Sequence, residues 1–431
     1  MSTIWRDGVN LEERGALLGD VKTDVLIIGG GMAGVLCASF LEKRGVDYIL
    51  VEKGRICSGV TQNTTAKITY QHGLIYNKLV SEFGIDAGRM YLEANREAFI
   101  NFAQMCANID CDYQVKDNYV YSTNCRGKLE KELSALLKIG YAARFCESVS
   151  IPIKTVGAIC FSDQAQFHPL KFAAELSRGL KIYENTFVKE IDGNTAITDF
   201  GRIKFESAVI ATHFPFINRH GSYFLKLYQH RSYVLALDGA EDVYGMYVDE
   251  DMRGLSFRNY KGMLLLGGGS HRTGKRGGGW SELSAFRKEK YPSAREVYRF
   301  ATQDCMTLDG MPYIGEYSKR TRGLYVACGF NKWGMTGSML SAMVLSDMVC
   351  GKDNKYVRML SPTRSILRKQ LFINCTETAI NMLTPIPKRC SHLGCALKYN
   401  KAEHSWDCAC HGSRFDEHGE VIDNPAQKRI K

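Results

Sequence analysis

The pattern of apolar and polar positions is sharpest between Val21 and Glu52. An apolar strand, DVLII, runs into Gly29, Gly30 and Gly31; a helical stretch, MAGVLCASFLEKR, carries Gly34 and is closed by Gly45; a second strand, VDYILVE, ends on Glu52. This order of strand, glycine turn, helix and strand over about 30 residues predicts a βαβ unit. Farther along, RSYVLALDG (231–239) and GMLLLGGGSHRTG (262–274) predict strands, and the segment after Gly351 predicts a helix at about 363–383. No internal repeat is visible, and no apolar run approaches the ~20 residues of a membrane span. The opening MSTIWRDGVNLEER carries acids where a signal peptide has its apolar stretch, so the chain is expected to be soluble and cytoplasmic.

The spacing Gly29-x-Gly31-x-x-Gly34 has a physical logic. Gly29 permits a tight turn, Gly31 lets the backbone approach a pyrophosphate, and Gly34 lets helix and strand pack closely, while the helix N-terminus stabilises phosphate charge. Glu52 is placed to accept hydrogen bonds from ribose hydroxyls, which favours FAD or NAD over NADP. A glycine triplet alone also fits an ordinary tight turn; the strand, helix and acid around it favour the dinucleotide.

A chain of 431 residues suggests about three folding units. With 45% apolar and 24% charged residues it is globular, which excludes a disordered or collagen-like chain. The net charge of +10 is uneven: between Lys352 and Arg389 eight basic residues face only Asp353 and Glu377. No basic face is interleaved with stacking aromatics, so the surplus reads as a basic connector and not as a nucleic-acid surface. Of 15 cysteines, eleven are scattered from Cys37 to Cys375 and read as small buried hydrophobes. The other four, Cys390, Cys395, Cys408 and Cys410, interleave with His392 and His411 and require a chemical explanation.

Beyond Glu52 and Lys53 lies Arg55 and then a polar loop with Ser58, Gly59, Thr61, Thr64 and Thr65. From here the chain resembles the D-amino-acid-oxidase-type (DAO) superfamily of FAD-dependent oxidoreductases, in which such a loop lies near the flavin. TFVKEI (186–191) resembles the strand whose backbone, here at Val188, contacts adenine, and AVIATH (208–213), with Ala211 and Thr212, resembles the second dinucleotide-proximal strand. Asp309 to Gly315 (DGMPYIG) and VACGFNKWGMTGS (326–338) resemble the closing flavin motif. The resemblance places Gly29, Gly31, Met32, Ala33, Gly34, Gly329, Gly334, Met335, Thr336 and Gly337 at the cofactor. It implies FAD and leaves the substrate open.

The fold expected is an α/β FAD-binding domain, Rossmann-like and of the glutathione-reductase type, with an inserted α+β substrate domain and a small all-β cluster-binding subdomain. The FAD-binding domain is expected at 1–84, 151–219 and 296–351, the substrate domain at 85–150 and 220–295, a basic connector at 352–385, and the cluster subdomain at 386–431.

The C-terminal pattern is the most specific in the chain: Cys390-Ser-His392-Leu-Gly394-Cys395, then, with fifteen residues separating His392 from Cys408, Cys408-Ala-Cys410-His411-Gly412-Ser413. It closely resembles the Rieske [2Fe-2S] signature, in which two histidines ligate one iron. The resemblance implies that Cys390 and Cys408 bind the buried iron, His392 and His411 the outer one, and Cys395 and Cys410 form a disulfide. Two Cys and two His also make a zinc tetrahedron, but that reading leaves the alternating order, the two extra cysteines and the Gly-Ser step unexplained. Phe415 stands where many family members have a tyrosine that donates to a ligand sulfur, which implies a lower potential. Only the connector ending in TPIPKR precedes Cys390, so the subdomain is truncated and is expected to lean on the flavoprotein body. Asn424-Pro425-Ala426 resembles the family's proline loop, with Asn where Gly is usual.

A flavin takes two electrons and such a cluster carries one at a time, so their union implies a converter. The leading expectation is a dehydrogenase that oxidises an amine or amino-acid-like donor at FAD and passes single electrons to an acidic, ferredoxin-like partner protein. A reductase with reversed flow and a non-enzymatic redox sensor are the alternatives. Membrane-surface association through Ile366, Leu367, Leu371, Phe372 and Ile380 of the connector ranks last, and no nucleic acid is expected. Catalytic residues are unassigned: Lys67 and His72 follow the flavin loop, and Arg231, Tyr233, Arg258 and His271 are candidates for a carboxylate clamp. Trp333 is placed to pack near the flavin, and Cys57 and His72 are conceivable points of covalent attachment.

Overall fold

Along Val21–Ile28 the side chains alternate between two cores, Val25 and Ile27 to one and Leu26 and Ile28 to the other. A strand buried on both faces belongs inside a largely parallel sheet. In the computed structural model, which describes residues 3–217 and 220–430, this strand is central to an eight-stranded sheet. Its neighbours are Arg202–Ile210 on one side and Tyr48–Val51 on the other, both parallel. Leu324–Cys328 and Tyr313–Glu316 extend the sheet at one edge and Ile182–Tyr183 at the other. The helix Met32–Glu42 follows the glycine turn, and a Cβ on Gly34 would lie 1.9 Å from the Gly29 carbonyl oxygen, so the close approach admits glycine alone.

A second, nine-stranded and mostly antiparallel sheet runs in the order Arg295–Thr307, Leu227–Asp238, Met263–Arg272, Ser256–Tyr260, Met246–Asp249, Gln114–Ser122, Gly157–Gln166 and Lys67–Ile68, with Arg144–Cys146 beside Gly157–Gln166. Both strands expected from 231–239 and 262–274 lie in it and pair with each other. It also takes Gly157–Gln166 and Arg295–Thr307, segments expected in the dinucleotide unit. Each pairs with a strand at least about 35 residues away along the chain, and a strand's own pattern does not say which sheet it will join.

The helix expected at about 363–383 spans Lys369–Leu383. After it, Leu397–Asn400, Ser405–Cys408, Arg414–Phe415 and Val421–Asp423 form a four-stranded antiparallel sheet with a small core of its own, including Leu397, Phe415, Ala426 and Ile430. So small a core leaves the unit dependent on support, and part of that support is ionic. Buried Arg231, on the second sheet, pairs with Glu403, which also meets Arg414 at 2.8 Å; Arg414 in turn meets Asp407 at 3.0 Å and Asp423 at 2.9 Å. No helix among the described residues is long and apolar enough to cross a membrane.

Candidate functional site

A cavity of about 860 Å³ is lined by both large sheets and by the C-terminal unit. Gly29, Gly31, Met32 and Ala33 of the glycine turn line it. Gly31 is the N-cap and offers no side chain to the first-turn amides; a Cβ there would meet nothing closer than Thr61 Oγ1 at 3.6 Å. The space a side chain would fill is therefore open to a phosphate beside the helix N-terminus. Glu52 accepts from the amides of Gly30 (2.7 Å) and Gly54 (3.0 Å) and lines the same cavity. Lys53, Ser58, Gly59, Thr61, Thr64, Thr65, Val188, Ala211, Thr212, Gly334 and Met335 complete the predicted residues at the wall. The residues present fit a dinucleotide.

Five predicted residues support the wall without forming it. Gly34 packs on the glycine turn, Gly329 has φ +71° and faces Thr307, and Gly337 faces Phe330. Thr336 donates to the Thr69 carbonyl and lies 3.0 Å from His72 Nε2. Asp309 is buried in an ion pair with Arg364 at 2.6 Å. Burial works to raise its carboxyl, and Arg364 holds it below the usual range.

The catalytic candidates separate. Lys67 lines the cavity and donates to the Tyr247 carbonyl at 3.0 Å; burial and then the Arg258 guanidinium push its ammonium down to about 7. His72 lines it too, hydrogen-bonded to Tyr91 and Thr69 and stacked on Trp333 at 4.9 Å; burial lowers it to about 3. Cys57 lines the cavity with its thiol raised by burial to about 12. The expected carboxylate clamp is not assembled. Arg231 is committed to Glu403, His271 to the Tyr233 hydroxyl at 3.0 Å, and Arg258 donates to the Ala66 carbonyl at 2.9 Å. Of these four, only Tyr233 reaches the cavity, and its hydroxyl also meets Glu403 at 3.1 Å. Charged groups not proposed as catalytic from sequence stand there instead: Lys332 and Asp304, both within the stretches that resemble the closing flavin motif, and Asp249. Burial raises the Asp249 carboxyl to about 6.

At the C-terminal end two loops share one hydrogen-bond pattern. Cys390 N donates to Cys395 O and Gly394 N to Cys390 O, each at 2.9 Å; Cys408 N donates to Ser413 O at 2.9 Å and Gly412 N to Cys408 O at 3.0 Å. Both glycines have positive φ, +77° and +83°. The loops bring the Cys395, Cys408 and Cys410 sulfurs within 4.8 Å of one another, and Cys390 and Cys408 within hydrogen-bonding reach. The His392 and His411 rings stand 5.0 Å apart. Burial keeps both neutral, at about 3 and about 4, which is the ligating form. Neither nitrogen of the buried His411 ring has a partner in hydrogen-bond geometry, although the Phe224 backbone exerts a pull on it. Ser413 Oγ accepts from Ala426 N at 3.0 Å and keeps its own proton for Cys390. Paired thiols beside paired neutral imidazoles are the donor set of a histidine-ligated [2Fe-2S] cluster. The sulfurs of Cys395 and Cys410 adjoin as free thiols.

The cluster loops dock on the flavoprotein body. Arg272 donates to the carbonyls of Ala409 (3.0 Å) and Cys410 (3.2 Å), and Gln303 to that of Gly412 (2.8 Å). Asn424 donates to the carbonyls of Thr212 and Phe214, both at 2.7 Å, and Phe214 lies 6.5 Å from each histidine ring. Val421, Asp423, Asn424, Ala426 and Gln427 line the dinucleotide cavity itself. From sequence, Asn424-Pro425-Ala426 and Gln303, in the Thr302-Gln303-Asp304 stretch that resembles the closing flavin motif, belong to motifs; Arg272 carries none.

Fold and site together define a flavin-dependent oxidoreductase with a built-in iron–sulfur centre. The chain belongs to the FAD dependent oxidoreductase (DAO) family, whose model matches residues 24–348, and residues 351–431 match the Rieske [2Fe-2S] domain. It is 32% identical to YhfW of Bacillus subtilis (strain 168), which is provisionally named a Rieske 2Fe-2S iron-sulfur protein, over all of this chain and 97% of that one. A cytochrome b6-f complex iron-sulfur subunit from a Nostoc species is 46% identical over 41 residues, 10% of this chain and 23% of that subunit. Glycine oxidase from Geobacillus kaustophilus superposes with a TM-score of 0.66 at 22% identity, over 80% of this chain and 99% of the oxidase. L-proline dehydrogenase from P. horikoshii gives 0.67 at 16% identity, over 81% and 98%.

Proposed function

We propose that this oxidoreductase oxidises an amine or amino-acid donor and delivers the electrons singly to a protein acceptor. FAD supplies two-electron acceptance and the [2Fe-2S] cluster one-electron transfer. One observation carries the reading: a single cavity is lined both by the dinucleotide turn and by Val421 to Asn424, Ala426 and Gln427 of the cluster unit. Within it Lys67 and Lys332 have no carboxylate within ion-pair distance among the described residues, and Asp249 and Asp304 share the wall. Cations to hold a carboxylate and anions to hold an ammonium suit a zwitterionic donor. Trp333 and His72 form a flat wall against which a donor is oriented. Arg272, Gln303 and Asn424 hold the cluster loops in place. Apart from Cys395 and Cys410, which we propose as a disulfide, the free thiols suit a reducing, cytoplasmic setting.

The test is anaerobic stopped-flow mixing with a panel of amino acids and secondary amines. The expected course is bleaching of the flavin band followed by reduction of the cluster. A donor that reduces the flavin and never the cluster refutes the electron route.

A further inference from the structure

The connector helix Lys369–Leu383 is built inside out. A surface helix normally buries its apolar stripe and exposes its polar one. Here Asn374 and Asn381, two turns apart on one face, are 3% and 1% exposed, whereas Phe372, Ile380 and Leu383 opposite them are 65%, 54% and 83% exposed. Leu367, Ile373 and Met382 extend the exposed apolar ridge. The buried face is tied to the body at both asparagine positions, through the side chain of the first and the backbone of the second. Arg272 Nη1 donates to Asn374 Oδ1 at 2.9 Å, and Ala396 N, beside the first cluster loop, donates to the Asn381 carbonyl at 2.9 Å. The helix thus has one orientation, and it turns five large apolar side chains outward, with Leu367 just ahead of it as a sixth.

The charge around the ridge decides what covers it. Lys369 is exposed, Lys388 sits over the Trp406 ring at 4.2 Å, and Arg389 donates to the carbonyls of Met382 and Thr384 at the helix C-terminus; none pairs with a carboxylate among the described residues. Glu377, the acid of the helix, is already paired with Lys275 at 2.6 Å. A second copy would bring the same basic rim against this one and be repelled. A transient redox protein offers a small, polar contact, whereas six aliphatic and aromatic side chains on a convex ridge with a basic rim match the interfacial helix of a protein lying on an anionic membrane.

We infer that the connector helix docks the protein on an anionic lipid surface, with Phe372, Ile380 and Leu383 entering the interface and Lys369, Lys388 and Arg389 meeting the headgroups. Arg389 also donates to the Gly394 carbonyl at 3.4 Å, so the first cluster loop and the half-buried His392 stand at the C-terminal end of the docked helix. The inference does not depend on the direction of electron flow.

The test is flotation of the full-length holoprotein with vesicles of phosphatidylglycerol and phosphatidylcholine in equal parts, against phosphatidylcholine alone. The variant is Phe372→Ser/Ile380→Ser/Leu383→Ser, three exposed positions whose change leaves the core intact; flavin absorbance and visible circular dichroism of the cluster verify the fold. The expected result is flotation with the anionic vesicles only, weakened by added salt, and at least tenfold less in the triple variant. Equal flotation of the two proteins, or none by the parent, overturns the inference. A dimer in sedimentation velocity that the triple variant abolishes overturns it in favour of a second copy, and lipid-independent binding of an acidic ferredoxin to the ridge overturns it in favour of a protein partner.

Discussion

Glu403→Gln removes one charge from the buried network that joins the cluster unit to the flavoprotein body while leaving the shape of the side chain unchanged. The Glu403 carboxylate serves both Arg231 and Arg414, and the three side chains retain 8%, 3% and 5% of their exposure. Arg414 keeps Asp407 and Asp423 at 3.0 and 2.9 Å, but the other carboxylate near Arg231, Asp423, is 4.0 Å away. The uncompensated charge therefore falls on Arg231. Breaking a buried pair from one side costs about 3–5 kcal/mol, a factor of roughly 150 to 4,000 in the docking equilibrium. Burial works to raise the Glu403 carboxyl, and Arg231 and Arg414 hold it below its usual range. A depressed carboxyl contributes stability that is complete above the unfolded value of about 4.3 and is lost as pH falls through the folded one. Denaturant titrations of the holoprotein, followed by visible circular dichroism of the cluster and by flavin fluorescence, read both effects. The cluster transition should move to lower denaturant by the stated energy, the flavin transition should move less, and the acid sensitivity below about pH 4 should shrink. Arg231→Met combined with Glu403→Gln should recover part of the loss. A cluster transition within about 0.5 kcal/mol of the parent, with its acid dependence intact, refutes the reasoning.

Asn424→Ala removes two half-buried hydrogen bonds to the Thr212 and Phe214 carbonyls; at about 1 kcal/mol each, amide exchange over 421–427 should rise about 30-fold by mass spectrometry. Lys67→Met should raise the KM for an amino-acid donor. In the parent that KM should climb as pH rises through about 7, where the ammonium, lowered by burial and Arg258, loses its proton, and the variant should lose this pH dependence. Phe415, fully buried in the cluster unit, stands where the Rieske resemblance puts a tyrosine that donates to a ligand sulfur; a hydrogen bond of about 1.5–3 kcal/mol to a charged group corresponds to up to roughly a hundred millivolts. Phe415→Tyr should raise the cluster midpoint in a redox titration by that order.

What could be read from the sequence was local. The glycine turn, Glu52 and the two cluster motifs each lie within a few turns of chain, and backbone geometry dictates their residue types: Gly34 because a Cβ would strike the Gly29 carbonyl, Gly394 and Gly412 because their φ is positive. What could not be read was the choice of partner across the fold. Arg231 was a candidate for a substrate clamp because it lies in the inserted segment where such a clamp could sit, and its partner, Glu403, is 172 residues away in a segment with no charge motif. The strand Gly157–Gln166 lies in a stretch expected in the FAD-binding domain, and it pairs in the second sheet along the edge of Gln114–Ser122, which its own pattern could not tell. The connector helix shows the same limit from the opposite side: its apolar spacing was visible, but only its packing shows that the asparagines face inward.

The central claim is that one cavity couples organic oxidation to a histidine-ligated [2Fe-2S] centre in the same chain. Electron paramagnetic resonance on anaerobically purified protein, with iron and sulfide assay, tests it most directly when the only reductant added is an amino acid or amine. The account predicts two irons and two sulfides per chain and a Rieske-type signal that grows in with the donor and without dithionite. Zinc in place of iron, or an iron–sulfur signal that dithionite raises and no such donor does while the flavin bleaches, would contradict it.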